Sequence, residues 1–192
     1  MRDLYTIPNL LSVTRIGLGV TGMLWIVNGS HAYLVAAAVL IIAAELTDLL
    51  DGYVARRTGT ETELGRGLDT TCDAIFHLSI FLAFLITGWM PLWAAILIYS
   101  CEISLPYLRS FTKQFRADAP SRIFEQAKVA TYGLSQLAVV LVAAFLGSDL
   151  GFHGISVVLA IFVVDVVVSL AVLFANVRPI VRANLRSAGE RH

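Results

Sequence analysis

Asp48 and Asp51 stand three residues apart, and Asp69 and Asp73 four apart, so on helices each pair occupies one face. Four carboxylates within 26 positions can do more than dissolve a surface. Oxygen ligands at this density suit hard divalent cations such as Mg²⁺ or Mn²⁺. The segments on either side are apolar, and a charge near hydrocarbon costs about 2.5–3.5 kcal/mol even on the lenient insertion scale. A compensating partner is therefore required, and Arg56 cannot neutralise four acids. Two other uses compete with metal binding. The acids could be salt-bridge partners between helices, or line the ion path of a non-catalytic membrane cation carrier.

The elements that would position them are membrane helices. Hydrophobic residues make up 57% of the 192 residues and charged residues only 15%. With a mean hydropathy of +0.77, this is the composition of an integral membrane protein. A spanning helix needs about 20 mostly apolar residues. Six such segments are predicted, at 9–27, 32–56, 67–88, 92–111, 123–147 and 154–177, as one domain over 1–192. Gly29-Ser30 separates the first two, Gly88 with Pro91 the third from the fourth, and Ser148 to Gly151 the last two. The fold expected is all-α, with six transmembrane helices.

The formal charge is zero, but the charges are not evenly spread. All 14 Lys and Arg fall at the N-terminal end, between helices two and three, between four and five, or in the C-terminal tail. The opposite turns, 28–32, 88–92 and 148–153, have none. The positive-inside rule then places both termini and the acidic stretch on the cytoplasmic side of the cell membrane. No cleavable leader is expected, because Ile7 onward is framed by Arg2-Asp3 and Arg15 without a small-residue cleavage site. Membrane lipid is an expected partner and nucleic acid is not.

The acidic stretch also carries a resemblance. Asp48, Asp51, Gly52, Ala55, Arg56, Gly65, Asp69 and Asp73 reproduce all eight positions of the Asp-x₂-Asp-Gly-x₂-Ala-Arg-x₈-Gly-x₃-Asp-x₃-Asp signature. The chain thus resembles the CDP-alcohol phosphotransferases, membrane enzymes of phospholipid synthesis. The resemblance implies that the four aspartates surround two Mg²⁺ or Mn²⁺ ions, with Asp73 also the base that takes the acceptor's proton. Two metals bridging a diphosphate would neutralise charge in phosphoryl transfer. Gly52, Ala55 and Gly65 would keep the helix faces shallow for the nucleotide. Arg56 would contact phosphate or hold the aspartates, and Asp69 would also face the donor. The implied reaction moves a phosphatidyl group from CDP-diacylglycerol to a small alcohol and releases CMP, in a homodimer.

The acceptor is read from a second charged region. Arg109, Lys113, Arg116, Arg122 and Lys128 would suit an anionic alcohol such as glycerol 3-phosphate, and contact with anionic lipid is the alternative. Within the family, Glu102-Ile103 with Leu108-Arg109, Ala127-Lys128-x-x-Thr131, and the opening around Pro8-Asn9 and Arg15 are most similar to bacterial phosphatidylglycerophosphate synthases. Ala130, Cys101, Thr70 and Ala74 depart from their usual residues, and other details resemble enzymes that use inositol phosphate or another polar alcohol. Arg109, Lys113, Arg122 and Lys128 are the expected acceptor-binding set.

Several residues stand outside the signature. Glu45, three before Asp48, could support a metal site or be a buried neutral acid. Cys72, Cys101 and the histidines are expected to pack, not to ligate. Gly17-x-Gly19-x-x-Gly22 has no preceding strand, so close helix packing explains it better than dinucleotide binding. Asp165, deep in the sixth helix, is expected to be neutral and hydrogen-bonded to another helix, within the protomer or across a dimer interface.

Overall fold

The structure is a computed structural model and describes residues 7–58, 63–114, 122–147 and 150–189. The side chains of Asp51, Gly52, Ala55, Arg56, Lys113 and Arg122, on described helices, lie outside the described residues.

Six helices follow one another: α1 (Ile7–Asn28), α2 (His31–Thr58), α3 (Glu63–Ile86), α4 (Leu92–Gln114), α5 (Arg122–Leu146) and α6 (Gly151–Gly189). All six expected segments are helical, and the breaks fall where Gly and Pro placed them. Gly29 and Gly88 take φ of 72° and 78°, a left-handed conformation that costs glycine nothing and ends the preceding helix. Pro106 sits inside α4, where it removes one backbone hydrogen bond without ending the helix. Among the described residues, four helices carry stretches long and apolar enough to cross a membrane: His31–Asp48, Gly67–Ile86, Phe124–Leu146 and Gly151–Arg182.

The helices pack in a chain of neighbours. α1 lies against both α3 and α2, α2 reaches α5, and α6 covers α5 and α4. Glycines let α1 and α3 approach: a Cβ on Gly19 would come 3.0 Å from the Phe76 backbone, and one on Gly22 2.8 Å from Ile80. The Gly19-x-x-Gly22 spacing is thus a packing surface, as read. Phe81 is the hub of the core, with Tyr132 edge-on at 5.0 Å and Phe84 and Phe162 at 6.3 Å between ring centres. Outward faces are apolar as well, with Leu24, Val39, Leu134, Phe145, Phe152 and Phe174 exposed. Apolar groups inside and out mark helices whose surroundings are lipid.

Polar groups inside the bundle are few and cross-linked. His77 and Gln136 make a double link, ring Nδ1 to the amide oxygen at 3.0 Å and amide nitrogen to the His77 carbonyl at 2.9 Å. Asp165 is fully buried between α6 and α5, inside one protomer and not on a dimer face. It faces Ser135, but that hydroxyl donates to the Tyr132 carbonyl at 2.9 Å. Neither Asp165 oxygen completes a hydrogen bond of good geometry, yet the group nearest to serving it is the Ser135 hydroxyl on α5, the kind of partner on another helix expected from the sequence.

Candidate active site

Two helices deliver the acids to one place. α2 contributes Asp48, and α3 contributes Asp69 and Asp73, one turn apart on the face that meets α1. One carboxylate oxygen from each lies within 4.8 Å of the others. The backbone places Asp51 one turn beyond Asp48 on α2, and its side chain is outside the described residues. Gly65 lies in the first turn of α3, one turn before Asp69.

The group that the sequence did not place here is Arg15. Its side chain is only 3% exposed, and its Nη1 reaches Asp48 Oδ1 at 2.9 Å, Asp69 Oδ1 at 3.3 Å and Asp73 Oδ1. One turn earlier, Ser12 donates to the same Asp69 oxygen at 2.9 Å. Part of the counter-charge therefore comes from α1, whose Arg15 reads in the sequence as an interfacial basic residue. The one signal was its position: a lone cation eight residues into an apolar helix, three after a serine.

This arrangement is compatible with one of the uses open to the acids, metal binding. A guanidinium pairs best with carboxylates through its two-pronged fork. Here three carboxylate oxygens converge on Nη1, and Ser12 donates to one of them as well. Convergence of hard oxygens on a point is what a metal ion asks of its ligands. Asp48, Asp69 and Asp73 thus fit a divalent cation by donor type and by spacing. Cys72, beside them in sequence, is buried and stands outside this group, as expected of a packing residue.

A small cavity opens beside the acids, lined among others by Arg15, Glu45, Asp48, Asp73 and His77. Glu45 Oε1 lies 3.8 Å from His77 Nε2. α5 makes room for it with Gly133, where a Cβ would come 2.5 Å from the Glu45 carboxylate. Glu45 therefore faces the site, one turn before Asp48.

The expected acceptor residues are differently placed. Lys128 is buried and bound to Glu102 at 2.5 Å, with Tyr132 donating to the same oxygen at 3.1 Å. Arg109 holds Glu125 through Nε at 2.9 Å and Nη2 at 2.8 Å. Both cations thus have acidic partners, linking α4 to α5. Lys113 and Arg122 lie outside the described side chains.

Residues 5–171 match the CDP-alcohol phosphatidyltransferase family, and the chain belongs to it. Among relatives, a cardiolipin synthase (CMP-forming) of Streptomyces coelicolor is 31% identical over 67% of this chain and 61% of its own length. A CDP-diacylglycerol–glycerol-3-phosphate 3-phosphatidyltransferase of Treponema pallidum is 25% identical over 79% of this chain and 72% of its own. A phosphatidylinositol phosphate synthase of Corynebacterium glutamicum is 39% identical over 47% and 39%. The chain spans about three fifths of the length of the Streptomyces relative it matches.

Proposed function

We propose that this protein transfers a phosphatidyl group from CDP-diacylglycerol to the hydroxyl of an alcohol and releases CMP. The observation that carries the reading is the convergence of Asp48, Asp69 and Asp73 from α2 and α3 in a chain of this family. With Asp51 they would hold Mg²⁺ or Mn²⁺, two ions in all. When bound, such ions supply charge neutralisation at the diphosphate.

The chain's own residues do the rest. Asp73 accepts the proton of the acceptor hydroxyl, whose oxygen then bonds to the β-phosphorus of the donor. The bond between that phosphorus and the bridging oxygen breaks, and the oxygen leaves on CMP. Gly52, Ala55 and Gly65 leave room for the nucleotide along α2 and α3, and Arg56 contacts phosphate. The six helices cross the cell membrane with both termini and the site on the cytoplasmic side, in a homodimer.

For the acceptor we propose glycerol 3-phosphate, drawn by the basic region of Arg109, Lys113, Arg122 and Lys128. A second reading has a specific support: relatives from Streptomyces coelicolor, rat and human, 31–36% identical, are named cardiolipin synthases. The Arg109–Glu125 and Lys128–Glu102 pairs favour it too, since a cation already paired is a poorer anchor for a small anion. Purified protein given labelled CDP-diacylglycerol with glycerol 3-phosphate, phosphatidylglycerol or inositol phosphate separates the readings by product. Metal-dependent CMP release with none of them, beside metal flux in vesicles, would favour the ion-path alternative.

A further inference from the structure

Arg15 occupies a position that the transfer reading leaves unexplained. It comes from α1, outside the Asp48–Asp73 stretch, yet its Nη1 faces the same three Oδ1 atoms that would ligate metal. A metal ion and a guanidinium nitrogen cannot share those lone pairs at full strength, because like charges repel at ligand distances. Nor is the guanidinium able to step aside by losing its proton. Buried as it is, it needs an anion wherever it goes.

We propose that Arg15 is an internal counter-cation that competes with divalent metal for Asp48, Asp69 and Asp73, and that metal entry frees its guanidinium to bind the diphosphate of the donor. The proposal rests on the metal-dependent transfer reading given above. Two features make the exchange practicable. First, a guanidinium matches phosphate oxygens through its fork. Second, Arg15 lines the small cavity beside Asp48 and Asp73, so it already borders the space that the donor would approach. The result is a site whose carboxylates stay neutralised throughout, and in which metal binding prepares the anion site for the nucleotide.

The test is binding, read apart from turnover. Free Mn²⁺ measured by electron paramagnetic resonance gives the metal affinity of the wild-type chain, Arg15→Gln and Arg15→Lys. Removing the competitor should tighten Mn²⁺ by about tenfold or more, the size expected for hydrogen bonds to charged groups. Arg15→Gln should also weaken CDP binding in the presence of Mn²⁺, and Arg15→Lys should fall between the two. An unchanged or weaker Mn²⁺ affinity in the folded Gln variant overturns the competition. Should Arg15→Gln not fold, the wild-type protein still decides. Modification of Arg15 by phenylglyoxal, followed by mass spectrometry, should be slow alone, several-fold faster with Mg²⁺, and slow again when CDP is added. No acceleration by Mg²⁺ overturns the release, and acceleration without protection by CDP overturns the transfer to the diphosphate. Absence of Mn²⁺ binding in every variant, with no metal-dependent CMP release, brings down the underlying transfer reading as well. Mn²⁺ binding with CMP release but no effect of Arg15 brings down only this one.

Discussion

At the scale of single residues, the proposed roles of ligand and proton acceptor can be told apart by substitution. Asp48→Asn or Asp69→Asn keeps size but removes a charge from a point where three carboxylates meet, so metal and donor binding should weaken together. Asp73→Asn should lower turnover further than it lowers donor affinity, because proton transfer typically contributes 10²–10⁴-fold. Equal loss of CDP binding in all three variants would make Asp73 one more ligand. Glu45 can be tested through its neighbour. Since a methyl group at position 133 would meet the Glu45 carboxylate, Gly133→Ala should turn that flexible side chain out of the cavity at small cost in stability. If Glu45 supports the site, Gly133→Ala and Glu45→Gln should each reduce turnover, and the double variant should be little worse than either. Additive losses in that cycle would show that the two positions act separately.

At the scale of helices, α1 is the element the sequence explains least and the site depends on most. Its contact with α3 runs through Gly19 and Gly22, and the same helix carries Ser12 and Arg15. Gly19→Val should therefore cost about 1–3 kcal/mol in stability and lower activity with it. Gly17→Ala, where nothing lies within 4 Å of a new Cβ, should stabilise α1 slightly. Thermal unfolding in detergent distinguishes the pair, and equal destabilisation would refute the packing role. α6 offers a different case. Both Asp165 oxygens are buried without hydrogen bonds, so Asp165→Leu should not reduce the unfolding midpoint, and an appreciable drop would reveal a bond that the geometry lacks.

These helices also show what a sequence can and cannot state. Apolar runs broken by Gly29, Gly88 and Pro91 are local signals, so all six helices were legible. The carboxylate pairs were legible because three- and four-residue spacing fixes a helix face. Arg15 was not, since its partners lie more than 30 residues away and only the packing of α1 on α2 and α3 brings them together. Glu102 as the partner of Lys128 was hidden likewise by the pairing of α4 with α5. For Asp165, an α6 that is apolar all round gives no sign of which face turns inward.

At the scale of the whole molecule, the open matter is how the bundle sits in the bilayer. Among the described residues, four helices meet the length and hydropathy of a span. α1 carries buried Arg15, which is neutralised by the aspartates, and α4 carries Glu102, which is neutralised by Lys128. Charge satisfied inside protein does not meet lipid, so neither helix need lie outside the membrane. The proposed six crossings would put the acids and every basic cluster on one side, and Ser30 and Thr87 on the other. The check uses a background in which the two buried cysteines, Cys72 and Cys101, are replaced by alanine. Single cysteines at Ser30 and Thr87 should react with an impermeant maleimide from outside intact cells, and one at Gln114 only after permeabilisation. If α4 does not cross, Gln114→Cys labels from outside together with Thr87→Cys. If α1 does not cross, a cysteine replacing Thr6 labels from the same side as Ser30→Cys, and the cytoplasmic placement of the N-terminus fails. The six-span arrangement survives only if Thr6 and Gln114 behave alike and opposite to Ser30 and Thr87, because only then do α1, α2, α3 and α4 each cross once.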